Sequence, residues 1–117
     1  MNEKEYEELK FKFISNAKEF WVQIKQGSSK EANKKVAAND KIVKKLENCG
    51  CAIEFLDALL EHESESVRYS AAARLVSKGD HGQAIVVLRE LAVNPKGLVA
   101  VSAMTILRIH NMSLTNH

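Results

Sequence analysis

The sequence contains a single proline and no long hydrophobic run. None of its apolar stretches approaches the roughly 18 residues that a transmembrane helix needs, so we expect no membrane span. The opening residues, Met1 to Glu5, are too polar for a signal peptide, and we expect a cytoplasmic protein. Strand patterns are almost absent as well, which predicts a chain built of helices.

The chain has only two cysteines, Cys49 and Cys51, with Gly50 between them. A disulfide between them would close too small a loop to constrain the unfolded chain. A metal site would need further ligands, and His62 is the only nearby candidate. We therefore expect two half-buried thiols at a helix junction, with no metal and no cofactor.

Signatures of catalysis are also missing. The histidines are His62, His81, His110 and His117. None forms a helical pair with a carboxylate or another histidine at a spacing of four residues. There is no glycine-rich phosphate loop and no serine nucleophile motif. These absences predict that the chain is not an enzyme.

What the sequence does contain is an internal repeat with a spacing of 32 residues. Residues 52–79 align with residues 84–111, and eight of the 28 aligned positions are identical. The identical pairs are Ala52/Ala84, Ile53/Ile85, Leu56/Leu88, Leu59/Leu91, Val67/Val99, Ser70/Ser102, Ala71/Ala103 and Leu75/Leu107. Seven of these pairs are apolar and fall at helical spacing, which is typical of stacked repeat units. Such arrays usually bind other macromolecules.

Apolar residues at intervals of three and four predict six helices, at about residues 3–26, 29–48, 51–61, 65–78, 80–93 and 98–110. Ser28 with Glu31 fits a capping box, Ser64 is a candidate N-cap, and Asp80 begins a further capping pattern. We expect one domain, with a capping helix pair over residues 1–50, repeats over 51–79 and 80–110, and a loose tail over 111–117.

Charge is divided along the chain although the net charge is only +2. Residues 28–46 carry six lysines against Glu31 and Asp40, whereas residues 47–66 carry six acidic residues and no Lys or Arg. Residues 67–117 are basic again. Such blocks predict surface patches of opposite sign, which steer association more than they determine the fold.

The segment from Leu59 to Leu75, LLEHESESVRYSAAARL, resembles a HEAT-type helical repeat. It has the family's leucine pair, acidic turn, Val-Arg, small-residue pair and leucine. The second repeat, residues 84–111, departs from this pattern, because Ala100 occupies the position of Arg68. From about residue 30 onward the chain also resembles a bacterial family of small HEAT-like proteins. The resemblance implies a short right-handed α-solenoid of the HEAT/ARM type, with about six helices in three antiparallel pairs.

The outer faces of the fourth and sixth helices carry almost no charge. They comprise Ser66, Tyr69, Ser70, Ala73 and Ser77 on the fourth helix, and Leu98, Val101, Ser102, Thr105 and Ile109 on the sixth. Exposed apolar patches mark interaction sites, and we select Tyr69, Ala73, Val101 and Thr105 as candidate partner-binding residues. The alternative is that a neighbouring helix, or the tail around residues 112–114, covers these faces.

Lysines gather on one side of the second helix, where Lys34, Lys41 and Lys45 are further candidate binding residues. The stripe fits a solvated helix face, a surface for an acidic protein, or a nucleic-acid footprint. Nucleic acid is the least favoured of these, because Arg and aromatic contacts are missing and the adjacent acidic block would repel phosphate.

On the fourth helix, Arg68 points into the arc of apolar residues that faces the core. A charge there needs a partner, and we expect Arg68 to pair with Asp57 or Glu61.

These features predict a non-catalytic protein-binding domain, present as a monomer or weak homodimer. HEAT-type proteins are typically scaffolds and binding surfaces, and several bacterial immunity proteins are small helical-repeat proteins. A charge-divided surface speeds association and fixes orientation, so the narrower hypothesis is an immunity protein that binds and neutralises a toxin. The alternative is a nucleic-acid-binding helical-repeat protein that uses the lysine stripe.

Overall fold

The computed structural model describes residues 1–79, 82–93 and 97–110. Within these ranges the chain forms six α-helices and no β-strand, which confirms the all-α prediction. The helices are α1 (Glu3–Lys25), α2 (Ser29–Asn48), α3 (Ala52–Leu59), α4 (Glu65–Ser77), α5 (Gly82–Val93) and α6 (Gly97–Ile109). Among the described helices, none combines the length and apolar character that crossing a membrane requires.

Side-chain caps explain where the first two helices begin. The Asn2 side chain accepts a hydrogen bond from the Glu5 backbone N–H at 2.8 Å, and the Ser28 hydroxyl accepts one from the Glu31 N–H at 3.4 Å. The second half of the predicted capping box is wrong, because the Ser28 N–H donates to the carbonyl of Gln23 instead. That bond belongs to the end of the preceding helix, so one short turn serves both helices.

Glycine in the left-handed region ends α1 and α2 in the same way. Gly27 and Gly50 have φ angles of 80° and 73°. After α2, the Gly50 N–H donates to the Glu47 carbonyl and the Cys51 N–H donates to the Leu46 carbonyl, both at 3.0 Å. This pair of bonds is a Schellman motif, which satisfies carbonyls that the helix end leaves free. The turn that carries both cysteines is therefore fixed by its own hydrogen bonds.

The turn between α3 and α4 differs from the sequence prediction in two respects. α3 ends at Leu59, two residues early, because the N–H groups of Leu60 and His62 donate to carbonyls three residues back and tighten the chain. Ser64 has the extended backbone of an N-cap, but its hydroxyl caps nothing. Its N–H donates to Nδ1 of His62 at 3.0 Å, so a ring nitrogen organises this turn.

The chain divides into two compact units, Met1–Phe55 and Leu56–His117. In the first unit α1 packs against α2, and the apolar core comprises Phe13, Ala17, Trp21, Ala32, Ile42, Val43, Leu46 and Phe55. The Phe55 ring makes edge-to-face contacts with the rings of Tyr6 and Phe13, each with 5.5 Å between centroids. A buried amide, Asn39, lies among these apolar side chains.

In the second unit α5 packs against both α4 and α6, and α4 also contacts α6. The internal repeat predicts burial well across residues 52–107. Both members are buried in the pairs Ala52/Ala84, Leu56/Leu88, Leu59/Leu91, Ala71/Ala103 and Leu75/Leu107, of which Ala52 belongs to the first unit. Ile53 is the clearest exception, since it is 40 % exposed whereas Ile85 is buried.

The finer architecture stays a prediction. A right-handed solenoid, three antiparallel helix pairs and repeat boundaries at residues 50, 79 and 110 all go beyond the packing described above. The capping pattern that begins at Asp80, most of the turn at residues 94–97 and the tail at residues 111–117 lie outside the described residues.

Candidate protein-binding surface

The outer face of α6 is apolar and exposed in the second unit. Leu98, Val101 and Ile109 are 45 %, 55 % and 65 % exposed, and Thr105 is exposed between them. At about 100° per residue these four side chains fall on one side of the helix. The buried residues of α6, Ala100, Ala103 and Leu107, fall on the opposite side. We call the exposed side chains of Leu98, Val101, Thr105 and Ile109 the α6 flank.

The one hydroxyl in the α6 flank is already bonded within the helix. Oγ1 of Thr105 donates to the carbonyl of Val101 at 3.0 Å, a bond that Thr commonly makes to the preceding turn. The methyl group of Thr105 is therefore its main contribution to the surface. The α6 flank consequently offers apolar contact and carries no charge, although exposed helix faces normally do.

The corresponding face of α4 is only partly available. Tyr69 and Ala73 are half-buried and Ser70 is buried, because α4 packs against α6 on this side. The Tyr69 hydroxyl is hydrogen-bonded with Ser102 of α6. Tyr69 and Ser102 therefore form a contact between α4 and α6, and this part of the α4 face is not free surface.

A polar cluster accompanies this helix contact. Burial raises the pKa of Tyr69 above its ordinary value, and the positive charge of Arg74 and the hydrogen bond with Ser102 oppose the rise. Nη1 of Arg74 donates to the Ser70 hydroxyl at 2.8 Å and to the Ser70 carbonyl at 3.3 Å. Tyr69 is therefore an uncharged phenol at neutral pH, held beside the α6 flank with its hydroxyl engaged.

Arg68 holds the turn before α4 and pairs with no acidic side chain among the residues that the structure describes. Its Nη1 donates to the carbonyls of His62 and Glu63, at 2.7 and 3.0 Å. The expected pairing with Asp57 or Glu61 is wrong, because the end of α3 leaves backbone carbonyls within reach and both carboxylates are exposed to water. Arg68 therefore stabilises the turn and contributes nothing to the α6 flank.

The lysine stripe lies on α2, in the first unit. Lys34, Lys41 and Lys45 are all exposed, and the buried residues Ala32, Asn39 and Leu46 fall on the other side of the helix. Nζ of Lys34 pairs with Glu31 at 3.1 Å, which offsets part of the local positive charge. The stripe has the geometry of a solvated helix face, and α2 adds no Arg or aromatic side chain to it.

One exposed residue of the second unit was not anticipated. Val93, the last residue of α5, is 70 % exposed. The only signal in the sequence is its position, directly before a turn that contains the single proline. Of the candidates in this unit, then, the structure brings Tyr69 beside α6, leaves Val101 and Thr105 exposed, and half-buries Ala73.

Comparison with known proteins adds no homologue to these observations. The chain matches no protein-family model, no curated protein and no solved structure.

Proposed function

We propose that this chain is a non-catalytic protein-binding domain and that the α6 flank is its docking surface. The observation that carries the proposal is the row of exposed apolar side chains on the face of α6 opposite its core. Burying the exposed part of each would contribute roughly 1 kcal/mol, so the flank as a whole would contribute several. Exposed apolar patches of this kind promote aggregation, and on a soluble protein they usually mark a binding surface.

The partner that fits this surface presents an apolar helix or ridge with few charges in its centre. The four side chains of the α6 flank offer a charged group neither an opposite charge nor a free hydroxyl. The nearest charge on the helix is exposed Arg108, about 20° around the axis from Val101. Tyr69 lies at the border of the flank, and its ring offers aromatic contact area of the kind that is enriched in protein interfaces. Charged residues elsewhere on the chain would steer association and orient the partner.

A capture experiment tests the proposal with a matched pair of variants. Val101→Glu places a charge in the α6 flank, whereas Val22→Glu makes the same substitution at a position of α1 that is 41 % exposed. Each immobilised protein is exposed to extract of the native host, and bound proteins are quantified by mass spectrometry. We expect a specific partner that the wild type and Val22→Glu retain and that Val101→Glu loses. Equal retention by all three proteins, or no specific partner, contradicts the proposal.

The narrower hypothesis of a toxin partner rests on chain size, charge division and the HEAT-like resemblance. It predicts that the captured protein is toxic to cells when expressed alone and harmless when this chain is co-expressed. Val101→Glu would then fail to protect. A captured protein with no toxicity leaves the docking surface in place and refutes the immunity role.

The second candidate function is nucleic-acid binding, favoured by the exposure of Lys34, Lys41 and Lys45 on one side of α2. It predicts affinity for DNA or RNA that falls steeply with salt, because phosphate binding releases counterions. Replacing the three lysines with Glu would remove that affinity. Binding that is indifferent to these substitutions, or absent at low salt, excludes this candidate.

A further inference from the structure

A cleft in the first unit is lined by three sulfur-containing residues, Met1, Cys49 and Cys51. The cleft has a volume of about 410 Å³ and is lined by Met1, Asn2, Glu3, Tyr6, Cys49, Cys51 and Glu54. Both cysteines are free thiols, Cys49 exposed and Cys51 half-buried. Met1 is 46 % exposed, so its thioether is accessible as well. Two thiols and a thioether therefore border one open space.

The two thiols are held by a rigid turn. Cys49 ends α2 with φ −92° and ψ −3°, and Gly50 follows in the left-handed region. The Schellman bonds from Gly50 and Cys51 back to α2 fix this geometry. A right-handed residue followed by a left-handed one brings the chain back on itself, so the two cysteine Cα atoms lie closer than the roughly 7 Å of an extended chain.

The floor of the cleft is also ordered. The Tyr6 ring packs edge-to-face on Phe55, and Phe55 packs in the same way on buried Phe13. The pKa of Tyr6 is raised, chiefly by burial and then by the charges of Cys51 and Glu54. Sγ of Cys51 donates to the Leu46 carbonyl at 3.6 Å, so this thiol already has a defined direction.

The chemistry of the lining selects among ligands. Glu3 and Glu54 are the charged side chains of the lining, and the α-amino group of Met1 adds one positive charge. The lining therefore carries a net negative charge, which favours a cation over an anion. Zinc takes four ligands in structural sites, and the described residues include no group of three or more His, Cys, Asp or Glu side chains that could hold a metal ion. Thiolate and thioether sulfur instead select soft ions, of which Cu(I) is the common biological example.

We propose that Cys49 and Cys51, with the thioether of Met1, form a binding site for a soft monovalent cation such as Cu(I). Binding takes one ion and two thiols to a bis-thiolate complex and releases two protons to solvent. The Schellman turn keeps both cysteines at one cleft, so little backbone entropy is lost when the ion binds. The site lies in the first unit and is independent of the docking surface on α6.

The test is an anaerobic competition between the reduced full-length protein and the Cu(I) chelator bicinchoninate. We expect one Cu(I) per chain to leave the coloured chelate and to give thiolate-to-copper absorption in the ultraviolet. Cys49→Ser and Cys51→Ser should each weaken binding by more than about 100-fold, since even outer-shell partners of a metal are worth about 10- to 100-fold. Inserting two glycines after Met1 should weaken binding by about tenfold.

Controls separate the site from adventitious binding and from misfolding. Met104→Leu removes a sulfur atom from α6 and should leave Cu(I) affinity unchanged. Fluorescence of Trp21, the single tryptophan, reports whether each variant keeps the fold of the first unit. The proposal is overturned if the wild type takes no Cu(I) from the chelator, or if both cysteine variants bind as the wild type does. One ion shared between two chains would also overturn it, because the proposed site is complete in one chain.

Discussion

Replacing Asn39 with Ala should destabilise the first unit, because Asn39 is a buried polar link between α1 and α2. It is only 2 % exposed. Its Oδ1 accepts a hydrogen bond from Nδ2 of Asn16 at 3.0 Å, and its own Nδ2 donates to the Phe13 carbonyl at 3.1 Å. The amide therefore joins two positions on α1 that are three residues apart, and it fixes the register of α2 against that helix.

The expected magnitude follows from these two bonds. Each contributes about 1 kcal/mol net, and a buried group left without a partner costs about 1 to 3 kcal/mol. Alanine is the better helix former by roughly 0.5 kcal/mol, which offsets part of the loss. We expect Asn39→Ala to lower the free energy of unfolding by about 2 to 3 kcal/mol. At roughly 4 °C per kcal/mol, the melting temperature would fall by about 8 to 12 °C.

Asn33 supplies the matched control, because it lies on the same helix and is exposed. Asn33→Ala makes the identical substitution without touching a buried hydrogen bond, so it should be neutral or slightly stabilising. Urea unfolding of both variants is followed through the fluorescence of Trp21, which lies in the same unit and is 9 % exposed. If the two variants differ by less than about 0.5 kcal/mol, the reasoning about Asn39 is refuted.

Three further predictions concern the second unit. Leu88→Ala should cost about 2 to 5 kcal/mol in a urea titration followed by circular dichroism, because Leu88 is fully buried; a loss below about 1 kcal/mol would place it outside the core. The raised pKa of Tyr69 means that the folded state keeps the phenolic proton at higher pH than the unfolded state. The contribution of Tyr69 to stability should therefore be fully present below its ordinary value of 10.0 and be lost as the pH rises above it. Tyr69→Phe should reduce the fall of stability at high pH without removing it, since the pKa of Tyr6 is raised too; an unchanged profile would contradict the burial of Tyr69. Arg68→Ala should lower the free energy of unfolding by about 1 to 2 kcal/mol, because the carbonyls of His62 and Glu63 lose their hydrogen bonds to Arg68. Amide hydrogen exchange at residues 62–64 should accelerate, and unchanged exchange there would contradict the role of Arg68 in holding the turn.

Helix positions could be predicted from the sequence because their causes are local. Capping residues and glycines mark the starts and ends of α1 and α2, and the structure places both helices within one residue of prediction. The end of α3 was missed because it depends on two short hydrogen bonds in the turn. Spacing of apolar residues cannot show such bonds.

Burial was harder to predict wherever a polar residue joins the core. Asn39 lies seven residues from both Ala32 and Leu46, in the middle of the buried face of α2. That spacing indicates that Asn39 faces the core. An amide at such a position can either be buried with hydrogen bonds to another helix or remain in contact with water, and the spacing does not distinguish the two. Its partners on α1 decide between them, and they are distant in the sequence.

The candidate surface shows the same limit. The apolar character of the outer face of α6 follows from periodicity alone, and Val101 and Ile109 are indeed exposed. Tyr69 has the same periodic position on α4, yet it is half-buried because α6 lies against it. Arg68 likewise bonds to carbonyls that become available only when α3 ends early. Each outcome depends on a neighbour that a helical pattern does not specify.

The most direct test of the account is the dissociation constant of the captured partner for three purified proteins. If the α6 flank is the docking surface, Val101→Glu raises the dissociation constant at least about tenfold, a loss of about 1.4 kcal/mol, while its melting temperature stays at the wild-type value. Val22→Glu should bind as tightly as the wild type. A partner that binds all three proteins equally would show that the exposed apolar face of α6 is not where this protein binds.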